Sequence, residues 1–422
     1  MIRPTVWRSV AVLAAGALAL TSCSSNSGGG GGGGSSTKTL TISTDLPLQG
    51  ASKDATTAMN NAVKLYLEQV GNKAGKFKLA FKSYDDSTAA KGAWDDATCA
   101  KNAQDHVANT SEVAVMGTYN SGCAKIIVPV LNQDPNGPML MVSHANTNPG
   151  LTKKWDPGEP DKFYPTGKRN YARVITTDDF QGTADSTFLK ELGKSRCFVL
   201  NDNETYGKGV AQAFIDNAPK VGLTILGNQS WDKEQPNYDA LFQSIKAKNP
   251  DCIFLGGIFD NNGGQLVKDK VKVLGDNNTV TMMGPDGFSG YTGLQKSPQG
   301  EGMYLSFAGL DTTSLRKNGG AAAKFLDAYK AKYGADPVTS YALYAAAATQ
   351  VIIAAIAKSD GTRKSITEQV FGGSGIDIPA EQSVIGKEIK IDPKTGDTNN
   401  IDISILRLKA GKETFVKAQP VK

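Results

Sequence analysis

Histidine is nearly absent from this 422-residue chain: there are two, His106 and His144. Neither stands in an HExxH string, and no CxxC pair or carboxylate and histidine cluster accompanies them, which excludes the usual zinc and iron sites. Catalytic strings are missing too. Gly287-Phe288-Ser289-Gly290-Tyr291 and Gly373-Ser374-Gly375-Ile376 each fall short of the GxSxG elbow, and no GxxxxGK[ST] loop occurs, so the chain does not hydrolyse nucleotides by that route. Tyr206-Gly207-Lys208-Gly209 opens a helix after a strand but lacks the third glycine of a dinucleotide fingerprint. Charge of one sign is also missing: 46 Lys and Arg are interspersed with 41 Asp and Glu, which offers no nucleic-acid surface. Beyond the N-terminus no apolar run is long enough to span a bilayer; the nearest, Ala342 to Ala357, is broken by Gln350 and reads as a buried helix.

What is present begins with an export signal. Arg3 and Arg8 precede an apolar run from Val10 to Leu20, and small residues follow. The run ends in Leu20-Thr21-Ser22-Cys23, which resembles a bacterial lipobox and predicts that residues 1–22 are removed and Cys23 is lipidated. Residues 23–38 then read as a tether, with seven consecutive glycines, Gly28 to Gly34, between serines. Removing residues 1–22 lowers the formal charge from +5 to +3. The location implied is extracytoplasmic, anchored to the membrane by lipid. In that oxidising setting Cys99, Cys123, Cys197 and Cys252 allow three pairings. The order of elements favours Cys99 with Cys123 and Cys197 with Cys252; free buried thiols are the alternative.

From Thr39 short apolar strands alternate with helical patterns. Leu40 and Ile42 alternate with polar residues, and Met59, Ala62, Val63, Tyr66 and Val70 share a helical face. Strands follow at Leu79 to Phe81, Val113 to Met116 and Met139 to Val142, as a covered parallel sheet requires. The pattern restarts with strands at Cys197 to Leu200, Cys252 to Leu255 and Val280 to Met283, separated by helices at Gly207 to Ala218 and Gly264 to Leu274. Helices near Ala321 to Tyr333 and Ser340 to Ala357 precede a strand pair around Ile389 to Ile391 and Ile401 to Leu408. The fold class expected is α/β: two doubly wound, Rossmann-like lobes joined by crossing hinge segments. Residues 39–173 with 305–402 form the first lobe, and 174–304 with 403–422 the second. In such sheets ligands collect where strands end and helices begin.

Five strings in order resemble the leucine/isoleucine/valine-binding proteins of type I periplasmic-binding-protein fold. They are Leu46-Pro47-Leu48-Gln49-Gly50, Tyr84-Asp85-Asp86, Thr176-Thr177-Asp178-Asp179-Phe180-Gln181-Gly182, Glu204-Thr205-Tyr206-Gly207-Lys208-Gly209 and Gly284-Pro285-Asp286-Gly287. The resemblance implies a receptor whose lobes close on a small, branched-chain-like amino acid and deliver it to an ABC permease and ATPase. It implies a monomer with no cofactor, no metal and no catalysis. By position, Ser121 and Thr147 would hold the α-carboxylate, the Ala145 carbonyl and Asp286 the ammonium, and Tyr206 would close over the solute. Ser121 and Thr147 also fit as helix N-caps without a ligand. The family aromatic of the first strand-helix loop has no counterpart in Gly50 to Thr57, Phe259 stands near the second-lobe aromatic position, and Lys153 to Arg169 is an extra stretch. The alternatives are a receptor for an amide, urea or aromatic acid, and a lipid-anchored ligand sensor.

Overall fold

The computed structural model describes residues 37–421; Cys23 and nearly all of the tether lie outside the described residues. Strand β1 (Thr39–Leu46) is buried along almost its whole length, which is why Ser43, Thr44 and Asp45 intervene among its apolar residues yet still face protein on both sides. It pairs in parallel with β2 (Phe77–Asp85) and β3 (Glu112–Gly117), and the sheet continues through β4 (Leu140–Ser143) to β5 (Tyr171–Arg173). Helices α1 (Lys53–Gln69), α2 (Asp96–Ala108) and α3 (Ser121–Asn132) connect them.

The second sheet has the order β7 (Thr224–Ser230), β6 (Arg196–Asn201), β8 (Cys252–Gly256), β9 (Thr281–Gly284), β10 (Tyr304–Phe307), β11 (Ile403–Lys409), β12 (Lys412–Gln419). Helix α4 (Asp178–Glu191) leads into it, and α5 (Thr205–Asn217), α6 (Asp239–Lys246) and α7 (Gly263–Leu274) link its strands. The fold class therefore agrees with the sequence pattern, while two details differ. β10 pairs within the second sheet through Phe307, so the return crossing follows Phe307 rather than starting at residue 305. Ile389–Lys390 and β11 are not partners either: the first pairs with Asp377–Ile378, the second lies between β10 and β12. Local apolar runs mark strands but not which strand each will meet.

Helices α8 (Gly320–Tyr333), α9 (Tyr341–Ala357) and α10 (Arg363–Phe371) return to the first lobe. The Tyr329 hydroxyl donates to the Ala58 carbonyl at 3.4 Å, and Arg363 donates to the carbonyls of His106 and Glu112. α9 is apolar all round and buried, as its alanine-rich sequence requires. No helix among the described residues is long and apolar enough to cross a membrane. Cys99 is bonded to Cys123 and Cys197 to Cys252, with Cα separations of 5.6 and 4.6 Å that suit a bridge. The first joins the opening turns of α2 and α3; the second joins register partners on β6 and β8.

Candidate functional site

The first-lobe wall starts where β3 ends and α3 begins. Asn120 is the N-cap of α3, but its side chain makes no capping bond and the first turn has no acid. The leading N–H groups are thus left for an outside acceptor, the arrangement that favours anions. Ser121 is the first helical residue, not the cap, and its Oγ accepts only a long bond from the Asn148 amide, 3.4 Å. Thr147 caps nothing: Asn148 serves the short turn Pro149–Leu151 by accepting from the Gly150 amide at 3.1 Å, and Thr147 Oγ1 is buried without a hydrogen bond. Two buried hydroxyls are therefore spare, and the capping alternative for them fails.

Arg173, which the sequence reading missed, holds this loop. It is fully buried, donates to the carbonyls of Asn146 and Asn148 at 2.9 Å each, and pairs with Asp397 of the last crossing segment at 2.7 Å. Those carbonyls flank Thr147, so the guanidinium fixes the hydroxyl between them and ties it to the hinge.

The second-lobe wall is acidic. Asp286 follows β9 in a single 3-10 turn, and its Oδ1 accepts from the Tyr206 hydroxyl at 2.6 Å while Oδ2 accepts from Tyr341, the first residue of α9. Burial raises the Asp286 carboxyl above its ordinary range, and the tyrosine hydroxyls pull it back. Gly287 is required for contact: a Cβ there would lie 2.3 Å from the Gly257 carbonyl oxygen and 2.8 Å from the Tyr206 ring. Asp178, at the start of α4, is buried with neither carboxylate oxygen hydrogen-bonded, and desolvation pushes it well above the usual range.

Between the walls lies a cavity of about 20 Å³, room for a single water. Tyr119, Asn120, Ser121, Ala145 and Tyr341 line it from the first lobe, and Tyr206, Ile258, Asp286 and Gly287 from the second. Four of the five expected residues, Ser121, Ala145, Tyr206 and Asp286, thus meet in one place. Thr147 does not line it. Nor does Phe259, which packs at a tilt against Tyr291 with ring centres 4.9 Å apart, while Ile258 takes the wall position. The aromatic rings on the first-lobe side of the cavity are Tyr119 and Tyr341, 5.5 Å apart and edge to face. His144 lies behind them, 6.0 Å from Tyr341, and burial pushes it down to about 3.

A larger cavity of about 590 Å³ opens where Trp155 and Asp156 of the extra stretch face Asn201, Thr205 and Lys208. Within it Asn201 donates to Asn228 at 3.1 Å and accepts from the Ser230 hydroxyl at 2.8 Å. The rest of the stretch is packed surface: Phe163 and Tyr164 are buried beside α3, and Lys125 pairs with Glu159 at 2.7 Å.

The family model described as Periplasmic binding protein matches residues 39–412. The chain belongs to that family. Among curated relatives it is 26% identical over 375 residues to the Leu/Ile/Val-binding protein BraC3 of Rhizobium johnstonii, covering 88% of this chain and 92% of the relative. Among solved structures it resembles the leucine-binding protein LivK of Thermotoga maritima, with a TM-score of 0.73, 20% identity and coverage of 90% and 98%. It also resembles a solute-binding protein of an ABC transporter from Rhodopseudomonas palustris in complex with p-hydroxybenzoic acid, with a TM-score of 0.72, 17% identity and coverage of 91% and 98%. At these identities the structures establish the fold. Periplasmic binding proteins are extracytoplasmic solute receptors, and this chain is accordingly a binding protein, not an enzyme.

Proposed function

We propose that this chain is the solute receptor of an ABC importer and that it takes a small α-amino acid between its lobes. The observation that carries the reading is the facing of unlike groups: the uncapped start of α3 with Ser121 on one wall, and Asp286 on the other. A carboxylate seeks short charge-assisted bonds from N–H and hydroxyl donors, and an ammonium seeks a carboxylate. A zwitterion bound this way touches both lobes, so binding and closure are one event. Thr147, held by Arg173, stands one layer behind as a second hydroxyl for the solute carboxylate. The names of the curated relatives support an aliphatic side chain. Cys23 would carry the lipid that keeps the receptor beside its permease; replacing it with Ala should release the protein from membranes.

A thermal-shift screen of the purified chain against the amino acids tests the solute class. A solute at 100 times its Kd should stabilise the protein by about 2.7 kcal/mol. No response to any amino acid would remove the reading. A second reading, an aromatic acid, is favoured by the three tyrosines around the cavity and by the p-hydroxybenzoate complex of a structural neighbour. Such a solute brings no ammonium to Asp286, so a response to benzoates alone, insensitive to Asp286→Asn, would select it.

A further inference from the structure

The hairpin that follows β2 has no part in the site described so far. Ser87–Thr88 pairs with Ala93–Trp94, and Asp95 then caps α2 by accepting from the Thr98 amide at 2.9 Å. Half-buried Trp94 touches both lobes. On the first, its ring covers Gly122: a Cβ at that position would lie 2.5 Å from the indole. On the second, its Nε1 donates to Glu204 Oε2 at 3.0 Å.

Both contacts fall on turns that carry solute groups. Gly122 follows Ser121 in the opening turn of α3, and Cys123 in the same turn is bridged to Cys99 just beyond Trp94. The ring, from the hairpin, and the disulfide, from the first turn of α2, therefore grip the same turn of α3. Glu204 is the N-cap residue of α5, two positions before Tyr206, yet its side chain makes no capping bond to its own helix. The carboxylate is turned across the cleft instead, with Lys233 Nζ 3.6 Å from its other oxygen.

We propose that Trp94 and Glu204 form a closure latch, with Trp94 acting as the positioning residue that holds the Ser121 turn and locks it to the Tyr206 turn when the lobes meet. The latch rests on the reading that the solute lies between the lobes, and it adds an element outside the solute pocket itself. Because the bond exists only after the lobes have met, it acts on escape of the solute, not on its capture. A hydrogen bond to a carboxylate at a half-exposed position supports about a tenfold effect.

The test is stopped-flow binding with L-leucine, L-isoleucine, L-valine and L-alanine as probes. Trp94→Phe keeps a ring on Gly122 and loses the N–H; it should speed dissociation about tenfold and leave association within about twofold. Glu204→Ala should do the same, the double variant should be no worse than either single one, and Glu204→Gln, which keeps an acceptor oxygen, should dissociate like the parent. Unchanged dissociation in Trp94→Phe, additive single effects, or Glu204→Gln behaving like Glu204→Ala would overturn the latch. A merely structural tryptophan would shift the melting temperature and leave the Glu204→Gln rescue without meaning. If the parent protein binds none of the four probes, the amino acid that answers in the thermal-shift screen replaces them; if none answers, the solute reading has failed and small-angle scattering of the ligand-free chain decides the latch. Trp94→Phe should then be the more open particle, and an identical radius of gyration would refute it.

Discussion

The two walls of the cleft are built from opposite chemistry. On the first lobe the side chains facing the gap are neutral donors and rings: Ser121, Tyr119, Tyr341 and, behind them, a histidine held uncharged. On the second lobe the acceptors are acids, Asp286 beside Tyr206 and Ile258 in the cavity and Asp260 and Glu204 elsewhere along the cleft. Bonds across the gap follow the same division: the Ser52 amide donates to Asp260 at 3.1 Å, Trp94 to Glu204 at 3.0 Å, and Tyr341 to Asp286. Each lobe alone presents half the complement of a zwitterion. The difference explains how the lobes can meet before a solute is held, since hydroxyl and indole donors satisfy the acids without bringing a charge. It also says what a solute must do, which is to replace the Tyr341 hydroxyl at Asp286 with something more positive.

The sharpest way to break this comparison is to neutralise the second wall. Asp286→Asn should leave an ammonium buried without its counter-charge, a loss of about 3–5 kcal/mol or two to three and a half decades in Kd. Calorimetry on the folded variant checks it, with a des-amino analogue of the solute as control, because that analogue should bind the variant no worse than the parent. Equal loss for both would show that Asp286 acts by shaping the turn and not by charge.

How much of this could be read from residues alone follows the same division. Asp286 and Tyr206 sit in short strings whose glycines are fixed by contact, as Gly287 against the Gly257 carbonyl shows, so local sequence reports them. Ser121 was placed by the family resemblance, because a hydroxyl at a strand-to-helix junction reads equally as an N-cap. Tyr341 was not, because it opens a helix far along the chain and reaches the site only when α9 returns to the first lobe. Arg173 was hidden for the same reason: its partner Asp397 lies on another crossing segment. The strand-like runs were visible, but the pairing of β11 with β10 and β12 was not, since register between distant segments is set by tertiary packing.

The two histidines offer a second test, smaller than the first. His144 lies against the neutral wall; desolvation pushes it down to about 3 from an ordinary 6.5. The folded state therefore refuses a proton that the unfolded chain accepts, and stability should fall as pH drops from about 6.5 toward 3. His106 is the opposite case. Burial works against its charge, but hydrogen bonds to Asp45 and Glu112 outweigh that and raise it to about 9. Its contribution should be complete below about 6.5 and lost as pH rises toward 9. Urea midpoints measured across pH should show His144→Phe flattening the acid limb only and His106→Gln the alkaline limb only. An acid limb unchanged in His144→Phe would mean that the first wall is not kept neutral by this residue.

The smallest effects should come from the spare hydroxyls, and their order discriminates between a helix-start site and a side-chain site. Ser121 lines the cavity at the head of α3, whereas Thr147 lies one layer back, beside buried Asp178. Ser121→Ala should weaken binding by about 1.5–3 kcal/mol, because one bond to a charged group is lost while the N–H groups of α3 remain. Thr147→Val should cost less, about 0.5–1.5 kcal/mol, the net contribution of an ordinary hydrogen bond. Removing the hydroxyl leaves the Ala145 carbonyl and the Arg173 tether in place, so the loop should keep its position. If Thr147→Val instead costs as much as Ser121→Ala, the solute carboxylate sits deeper than the cavity between the closed walls. Lobe closure would then have to carry it past Ser121, and the start of α3 would be a point of entry, not the point of rest.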